Sequence, residues 1–233
     1  MPTAQLPTWR HVLVVVAHPD DESFGLGGVI DAFIRAGATV DVLCFTQGEA
    51  STLGASEHLA QTRAEELRTA AEALGARSAV LRRHPDGGLD GIPSQILDED
   101  VRAMVGRVLA DGLLVFDSSG ITGHPDHVAA TASALRVGRA LDLPVLAWTL
   151  DAAVAATLRA ETGAPFVGCG PEELSMQVQV DRTTQRRAIS CHASQAVPSS
   201  VLWRRLELQG DHESLRWLHR TDSDRDEANG QVR

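Results

Sequence analysis

The sequence predicts an α/β fold in which a mostly parallel, doubly wound sheet lies between two layers of helices. Five short apolar runs have the length and composition of buried strands, and the segments between them repeat apolar residues at helical spacing. Strands that alternate with helices in this way are typical of a parallel sheet covered on both faces. The five runs are residues 12–17, 39–45, 79–81, 113–116 and 145–148.

Two of the intervening helices are marked by their ends. The first begins near Ala60 and stops before Gly75, since glycine suits the left-handed residue that ends a helix. Its apolar positions recur at steps of four and three residues, at Ala64, Leu67, Ala71 and Leu74. The second begins near Pro125, because proline suits the first helical position. Its apolar stripe consists of Ala130, Ala134, Val137 and Leu141, and His127 lies on the same stripe.

The region after Asp151 is predicted to extend the same domain. It contains an Ala-rich helix, an alternating run at 176–180 that fits a strand, and helical segments that continue to Trp217. We therefore expect a single domain over residues 8–220. Residues 221–233 are polar and bury too little apolar surface to offset the entropy of ordering, so a disordered tail is expected there.

The overall charge excludes some partners. With 31 acidic against 21 basic residues, the formal net charge is -10. Such a chain lacks the basic surface that binds nucleic acid or an anionic membrane, and neither is an expected partner. The first residues do not have the basic stretch and long apolar region of a secretory leader, so none is expected. The apolar runs are too short to span a bilayer, and the three cysteines are too far apart to indicate a disulfide framework. We expect a cytoplasmic protein.

The absence of certain residue types excludes some chemistry. All 21 basic residues are arginine, and the sequence contains neither lysine nor tyrosine. Without lysine there is no Schiff base and no phosphate-loop lysine. The glycines at 25, 27 and 28 do not form a dinucleotide-binding fingerprint, because position 30 is isoleucine. Ser118 does not form a hydrolase nucleophile elbow, because Phe116 occupies the position of its first glycine.

Two clusters of histidines and acidic residues follow the first and fourth predicted strands. The first has the sequence Ala-His-Pro-Asp-Asp-Glu at residues 17–22, and the second has His-Pro-Asp-His at residues 124–127. In an open parallel sheet, ligands bind beyond the carboxyl ends of the strands, where the winding reverses direction. We therefore expect the two clusters to meet in one crevice.

Together the clusters predict a metal site. His18 and Asp21 with one histidine of the second cluster provide the two-histidine, one-carboxylate set of a catalytic zinc with one open position. His127 is the better third ligand, because its place on the apolar stripe turns it toward the sheet. His124 precedes the helix, faces the mouth of the crevice and is assigned to catalysis. The same ligands also accept iron(II).

The remaining residues of the clusters suit hydrolysis. Zinc lowers the pKa of bound water to about 7, and Asp20, as a carboxylate that does not ligate the metal, can take its proton. A protonated His124, oriented by Asp126, would stabilise the oxyanion and protonate a departing amine. Each cluster alone also fits a second interpretation, in which its carboxylates only cap a helix or complement its dipole.

These motifs resemble the LmbE-like, or PIG-L, family of zinc-dependent N-acetylglucosaminyl deacetylases. The resemblance rests on residues 17–22 and 124–127, and it extends to Thr62-Arg63-x-Glu65, Leu74-Gly75 and His192-x-Ser194-Gln195. It covers most of the chain and implies a three-layer Rossmann-like fold.

The resemblance also implies roles for individual residues. His18, Asp21 and His127 match the zinc ligands of the family, and Asp20 matches its general base. His124 matches the residue that polarises the carbonyl and helps the amine to leave. Some members use a tyrosine near the site for carbonyl polarisation, whereas here His124 and the metal would act without one.

Two further residues are candidate substrate ligands. Arg63 lies early in the helix after the second strand, near the crevice rim, where it could donate to substrate hydroxyls or a phosphate. The alternative is a surface salt bridge between Arg63 and a neighbouring glutamate. Asp86 resembles a sugar-hydroxyl ligand of the family, although its Pro-Asp-Gly context also fits a turn. His192 is expected to be structural.

The predicted function is metal-dependent hydrolysis of an N-acetyl or related N-acyl group on an N-acetylglucosamine-type glycoside or small metabolite. Two alternatives stay open: an amidase of thiol conjugates or of a secondary metabolite, and a metal-bearing sugar-binding module without turnover. The sequence does not choose among substrates, because loops that select them carry no readable code. The oligomeric state is also open, and a homo-oligomer is compatible with the sequence.

Overall fold

The computed structural model describes residues 5–221 and has the predicted α/β architecture. The strands are β1 (His11–Val16), β2 (Thr39–Thr46), β3 (Ser78–His84), β4 (Gly112–Phe116), β5 (Val145–Thr149), β6 (Met176–Gln179) and β7 (His212–His219). The helices are α1 (Asp21–Phe24), α2 (Gly27–Arg35), α3 (Leu59–Leu74), α4 (Ser94–Val108), α5 (Gly120–Gly123), α6 (Pro125–Leu141), α7 (Ala152–Thr162), α8 (Arg182–Cys191) and α9 (Val201–Gln209), with a 3-10 turn at Leu89–Gly91. All five predicted strands correspond to β1–β5, so the fold class is confirmed.

The seven strands form one sheet in the order β3-β2-β1-β4-β5-β7-β6. β1 lies at its centre, parallel to β2 on one side and to β4 on the other. The chain runs outward from β1 through β2 to β3, and then returns to add β4 on the other side of β1. This is the reversal that the predicted crevice requires. Since β1 and β4 are parallel neighbours, the loops that follow them lie side by side.

Alternate residues of β1 face opposite layers, as the two-residue period of a strand requires. Val12, Val14 and Val16 pack in a cluster with residues of α2, α3 and α8. Leu13 and Val15 pack in a second cluster with residues of α4 and α6. A strand buried on both faces is a nearly continuous apolar run, which is why the sequence identifies this one so directly.

The two helices predicted from their ends are present. α3 ends at Gly75, whose φ of 87° is left-handed. α6 has Pro125 in its first turn and buries the first three members of the predicted stripe. Leu141, the fourth member, is 43% exposed. It is the last helical residue, and left-handed Asp142 turns the chain away directly after it.

The C-terminal region differs from the prediction in one element. Helical segments were expected up to Trp217, but residues 212–219 form β7, an antiparallel strand between β5 and β6. Good helix formers such as Glu213 and Leu215 misled the prediction, because cross-strand packing outweighs their intrinsic preference. The strand expected at 176–180 and the Ala-rich helix after Asp151 are present as β6 and α7.

Most of the predicted tail, residues 222–233, lies outside the described residues. Thr221, the first residue of that predicted tail, is described and is buried. Among residues 5–221, none of the helices has both the length and the apolar character needed to cross a bilayer.

Candidate metal centre and catalytic site

The two clusters meet, as expected, beyond the ends of β1 and β4. The ring centroids of His18 and His127 are 5.1 Å apart, and those of His18 and His124 are 4.9 Å apart. A cavity of about 340 Å³ opens between the clusters. It is lined by His18, Asp20, Asp21, Ala50, Ser51, Arg63, Asp86, Gly87, His124, His127 and Gln195.

Three of these side chains present donor atoms at metal-ligand spacing. His18 Nδ1 lies 3.2 Å from His127 Nε2, and His127 Nε2 lies 3.1 Å from Asp21 Oδ1. The third separation, from His18 Nδ1 to Asp21 Oδ2, is 3.6 Å. Ligand atoms bonded to a tetrahedral zinc at about 2.0–2.1 Å are about 3.3–3.4 Å apart. His18, Asp21 and His127 could therefore hold a metal ion with a fourth position open.

The other nitrogen of each histidine ring has a partner of its own. His18 Nε2 lies 3.2 Å from Asp126 Oδ2 and 3.1 Å from Asp86 Oδ1. His127 Nδ1 lies 3.3 Å from the carbonyl oxygen of Gly120. When these nitrogens carry the protons and donate them, the lone pairs of His18 Nδ1 and His127 Nε2 are left for a metal. The surroundings of both rings therefore select the tautomers that a metal needs.

The site is rich in negative charge. Burial would lower the pKa of His18, but hydrogen bonds to Asp126, Asp21 and Asp86 raise it to about 12. For Asp21, burial acts upward, yet His127 and His18 hold the pKa of this carboxyl well below its usual range. A cluster of carboxylates that stabilises positive charge so strongly suits a bound cation as well as a proton.

A second set, His18, His124 and Asp126, also has donor atoms close enough for a metal. Both oxygens of its carboxylate are engaged, because buried Asp126 accepts from the backbone N–H groups of Gly87 on Oδ2 at 2.7 Å and Leu89 on Oδ1 at 3.0 Å. Asp21 also accepts from two backbone N–H groups, but both on Oδ2, which leaves Oδ1 for a metal. In addition, His124 Nδ1 accepts from the Asp126 N–H at 3.2 Å. The set with Asp21 is therefore the better candidate.

Asp20 lies beside the candidate metal ligands without belonging to either set. Its backbone φ of 126° is in the left-handed region, which is unusual for a residue other than glycine. Burial and the neighbouring Asp21 raise the pKa of Asp20 to about 6, against the opposing effect of Arg63. A carboxylate with a pKa just below neutrality is well matched to general-base work.

Arg63 lies at the cavity, but most of its donors are used by the protein. Its Nη1 donates to the carbonyl of Gly48 at 2.7 Å, and its Nη2 donates to the carbonyl of Pro19 at 2.5 Å and to Asp20 Oδ2 at 2.9 Å. The residue is buried, so the expected alternative of a surface pair with a glutamate was wrong. Arg63 holds Asp20 in place, a contact that the sequence did not predict.

His124 and Asp126 are close, but not in the arrangement expected. His124 is the N-cap residue of α6, and its Nδ1 accepts from the backbone N–H of Asp126. The Asp126 carboxylate approaches His18, so it does not orient His124 as predicted. Burial and the charges of His127 and His18 lower the pKa of His124. Both observations favour a neutral imidazole with its proton on Nε2, whereas a protonated ring was expected.

Asp86 joins the site through a contact with His18. Its Oδ2 accepts from the Ala50 N–H at 2.8 Å, while Oδ1 faces His18 Nε2. The hydrogen bond with His18 holds the pKa of Asp86 below its usual range, although burial acts in the opposite direction. The Pro-Asp-Gly turn thus brings a carboxylate to the cavity, which turn chemistry alone did not predict.

Sequence reasoning gave no role in the site to two residues that lie near it. Gln195 lines the cavity and accepts from Ser51 Oγ at 2.8 Å. Glu22 was considered only as a capping charge, but it is fully buried and accepts from the Asp20 N–H at 3.0 Å. The signal for Glu22 was its position within the first cluster. Gln195 belongs to the motif His192-x-Ser194-Gln195, but nothing in that motif places it at the cavity, because its partner Ser51 lies 144 residues away along the chain.

Comparison with known proteins connects this site to one family. Residues 13–137, more than half of the chain, match the family described as "PIG-L: GlcNAc-PI de-N-acetylase". The match includes both clusters that form the candidate metal centre.

Two individual proteins of known name are similar to this chain in sequence. A 1D-myo-inositol 2-acetamido-2-deoxy-alpha-D-glucopyranoside deacetylase of Rhodococcus erythropolis is 31% identical over 60% of this chain and 61% of its own length. A probable N-acetyl-alpha-D-glucosaminyl L-malate deacetylase 2 of Bacillus anthracis is 28% identical over 91% of this chain and 92% of its own length. The chain thus spans only about three fifths of the length of the Rhodococcus protein.

The fold is shared with a deacetylase from the biosynthesis pathway of teicoplanin, solved in complex with teicoplanin. The two structures superpose with a TM-score of 0.71 at 18% identity, covering 91% of this chain and 99% of the other. Such low identity relates the folds and not the substrates. Because the family match contains both halves of the candidate metal centre, the chain belongs to the PIG-L family.

Proposed function

We propose that this protein is a zinc-dependent hydrolase that removes the N-acetyl group, or a related N-acyl group, from a small N-acetylglucosamine-type substrate. The observation that carries the proposal is the tetrahedral spacing of His18 Nδ1, His127 Nε2 and the Asp21 carboxylate, with Asp20 beside them. The names of the relatives support the substrate class, since two of them act on glucosaminides that carry an N-acetyl group.

The three candidate ligands would leave the fourth coordination position of a zinc ion open for water or substrate. A zinc ion held there would supply a lowered pKa for water and polarise the amide carbonyl. Asp20 takes the proton of the attacking water and returns it to the departing amine, so that water and amide become a carboxylate and a free amine. Its pKa of about 6 leaves it ionised at neutral pH and still able to hold a proton briefly.

His124 completes the proposed machinery. As a neutral imidazole with Nδ1 occupied by the Asp126 N–H, it has Nε2–H to donate to the carbonyl oxygen as negative charge develops there. A donor of this kind gives the role that a tyrosine fills in some members of the family, and this chain contains no tyrosine.

Asp86 and Arg63 border the same cavity and are proposed to contact the substrate. Asp86 can accept from a sugar hydroxyl while Oδ1 keeps its contact with His18. Arg63 reaches the cavity with the same guanidinium that holds Asp20, so it would bind substrate next to the general base. A substrate of about disaccharide size suits a cavity of about 340 Å³.

The test is a hydrolysis screen on protein of known metal content. Substrates are the N-acetylglucosaminides of inositol and of malate, N-acetylglucosamine itself, and a set of amides of thiol conjugates. We expect equal amounts of free amine and acetate from at least one glucosaminide, loss of both on chelation, and recovery on addition of zinc. Recovery with iron(II) in place of zinc would identify the other ion that this ligand set accepts.

The same screen separates the alternatives. Amine release from thiol-conjugate amides alone would replace the glucosaminide assignment with the amidase function. Binding of a glucosaminide with zinc present, and no amine from any substrate, would support the sugar-binding module and end the hydrolase proposal.

A further inference from the structure

A buried contact links the C-terminal part of the domain to the first cluster. His192, at the end of α8, is fully buried, and its Nε2 lies 2.7 Å from Glu22 Oε1. The other carboxylate oxygen of Glu22 accepts from the Asp20 backbone N–H at 3.0 Å. Neither Glu22 nor His192 has a role in the hydrolysis proposed above. The chain His192–Glu22–Asp20 therefore connects a residue outside the cavity to the proposed general base.

Asp20 requires such support because its own backbone is strained. Its φ of 126° and ψ of -27° lie outside the regions that a residue with a Cβ adopts readily, and only surrounding contacts keep it there. The helix that follows, α1, is a single turn of four residues and is too short to hold a fixed shape by itself. The position of the Asp20 carboxylate thus depends on contacts from other parts of the fold.

Other contacts fix the far end of α1 independently of His192. Gln185 Nε2 donates to the carbonyl of Ser23 at 3.0 Å and to that of Phe24 at 3.1 Å. Arg205 also donates to the Phe24 carbonyl. The helix is therefore anchored at its end even when the contact at its start is removed. This separation makes it feasible to change His192 without losing the fold.

If His192 only filled space in the core, an apolar residue would stabilise the fold better than histidine. Within residues 5–221, its Nδ1 is buried and has no hydrogen-bond partner. An unpaired buried polar atom destabilises the folded state, and an apolar side chain at this position would avoid that cost. What histidine provides and an apolar residue does not is the bond from Nε2 to Glu22.

We propose that His192 is a positioning residue for the proposed deacylation: through Glu22 it fixes the backbone of Asp20, and so aims the Asp20 carboxylate at the attacking water. This inference rests on the proposed function for its consequence in turnover, but the geometric part stands by itself. In this proposal, the C-terminal region contributes to the site through α8, which brings His192 to the first cluster.

The test compares two substitutions of His192 with a matched control. His192→Phe keeps a ring and removes the donor, whereas His192→Gln keeps an N–H near the position of Nε2. Ile189→Val lies on the same helix, trims a fully buried side chain and leaves Glu22 untouched. All three are measured for melting temperature, bound zinc, kcat and KM.

We expect His192→Phe to lower kcat roughly 10- to 100-fold, the loss typical of residues that orient catalytic groups, with KM and bound zinc unchanged. His192→Gln should recover most of kcat, although it does not restore the ring. Ile189→Val should change the melting temperature and not kcat. A purely structural role predicts the opposite pattern: kcat would follow the melting temperature in all three variants, and that result would overturn the proposal.

Hydrogen exchange of the backbone amides at residues 17–24 provides a readout that needs no substrate. We expect faster exchange in this segment for His192→Phe and unchanged exchange for Ile189→Val. Equal protection of the segment in His192→Phe and the unmodified protein would refute the positioning role even in an active enzyme. If the unmodified protein hydrolyses nothing, the proposed function fails, and the exchange data still decide whether His192 holds Asp20.

Discussion

The two halves of the candidate site are built in different ways. The half after β4 is formed at the start of α6, a regular helix of 17 residues that has His124 as its N-cap and His127 in its first turn. The half after β1 stands on α1, a single turn that follows the strained Asp20. One half obtains its geometry from a local element, and the other obtains it from distant contacts.

This difference separates the residues that ligate or react from those that hold them. In the β4 half, one helix carries both histidines, since His124 caps α6 and His127 lies in its first turn with a proline. In the β1 half, Arg63 holds the Asp20 side chain and Glu22 holds its backbone. Substitutions remote from the cavity should therefore impair the β1 half far more than the β4 half.

Removing a metal ligand should reduce turnover more than any other change. The loss should be the same whether the ligand comes from the β1 half or from the β4 half. We expect His18→Ala and His127→Ala each to lose bound zinc and all turnover above background, because two remaining ligands hold zinc poorly. Metal analysis and the amine-release assay on the same samples measure this. The exposed His58→Ala is the control. Retention of zinc and turnover by either ligand variant would rule out the proposed ligand set.

Asp20→Asn should have the next largest effect, since it removes the general base and keeps the shape of the side chain. We expect kcat to fall by about 10²- to 10⁴-fold with zinc still bound. An amide also keeps an oxygen that can accept from Arg63, so the local structure should persist. Unchanged acetate release with full zinc occupancy would exclude Asp20 as the base.

The same difference explains how much the sequence could predict. The strands were found because β1, β2, β4 and β5 are apolar runs buried in the sheet, and the candidate ligands because they directly follow β1 and β4. Arg63 on Asp20 and His192 on Glu22 could not be found, since these contacts join residues 43 and 170 positions apart. Strand β7 was missed for the same reason: its pairing with β5 is a property of the folded chain.

His124→Asn tests the β4 half without disturbing its helix. Asparagine is a good N-cap residue, so α6 should keep its start, but its shorter side chain withdraws the proposed Nε2–H donor. We expect kcat to fall about 10²- to 10³-fold, the usual cost of losing one donor to a developing oxyanion. Bound zinc and the melting temperature should be unchanged. A kcat equal to that of the unmodified protein would leave carbonyl polarisation to other groups.

Arg63→Lys tests the support of the β1 half. Lysine keeps the positive charge, but a single ammonium cannot bridge Gly48, Pro19 and Asp20 in the way that the planar guanidinium does. We expect kcat to fall roughly 10- to 100-fold while zinc stays bound. Arg68→Lys, at an exposed site on the same helix, is the matched control and should have no effect. If both variants retain full kcat, Arg63 does not position the base.

Asp98→Asn should have the smallest effect and should change stability without changing chemistry. Asp98 on α4 accepts from Ser133 Oγ at 2.8 Å and from Arg136 Nη2 at 2.7 Å, and so ties α4 to the helix that carries His124 and His127. Burial alone would raise the pKa of Asp98, but these hydrogen bonds hold it below the usual value. Because the pair is partly exposed to solvent, we expect the free energy of unfolding at pH 7 to fall by about 1 kcal/mol.

The pH dependence follows from the direction of that shift. A carboxyl whose pKa is lower in the folded state stabilises the fold above its unfolded pKa of about 3.9, and this contribution is lost as the pH falls through the folded value. Denaturant unfolding at pH 7 and near pH 2 should therefore show a difference between Asp98→Asn and the unmodified protein that shrinks in acid, with the exposed Glu99→Gln as control. A difference that persists near pH 2 would mean that the ion pair is not its source.

The kcat of Asp98→Asn at neutral pH tests the comparison between the two halves. An unchanged kcat would show that α6 places its histidines by its own geometry. A loss of turnover would mean that the β4 half, too, depends on contacts made elsewhere in the fold.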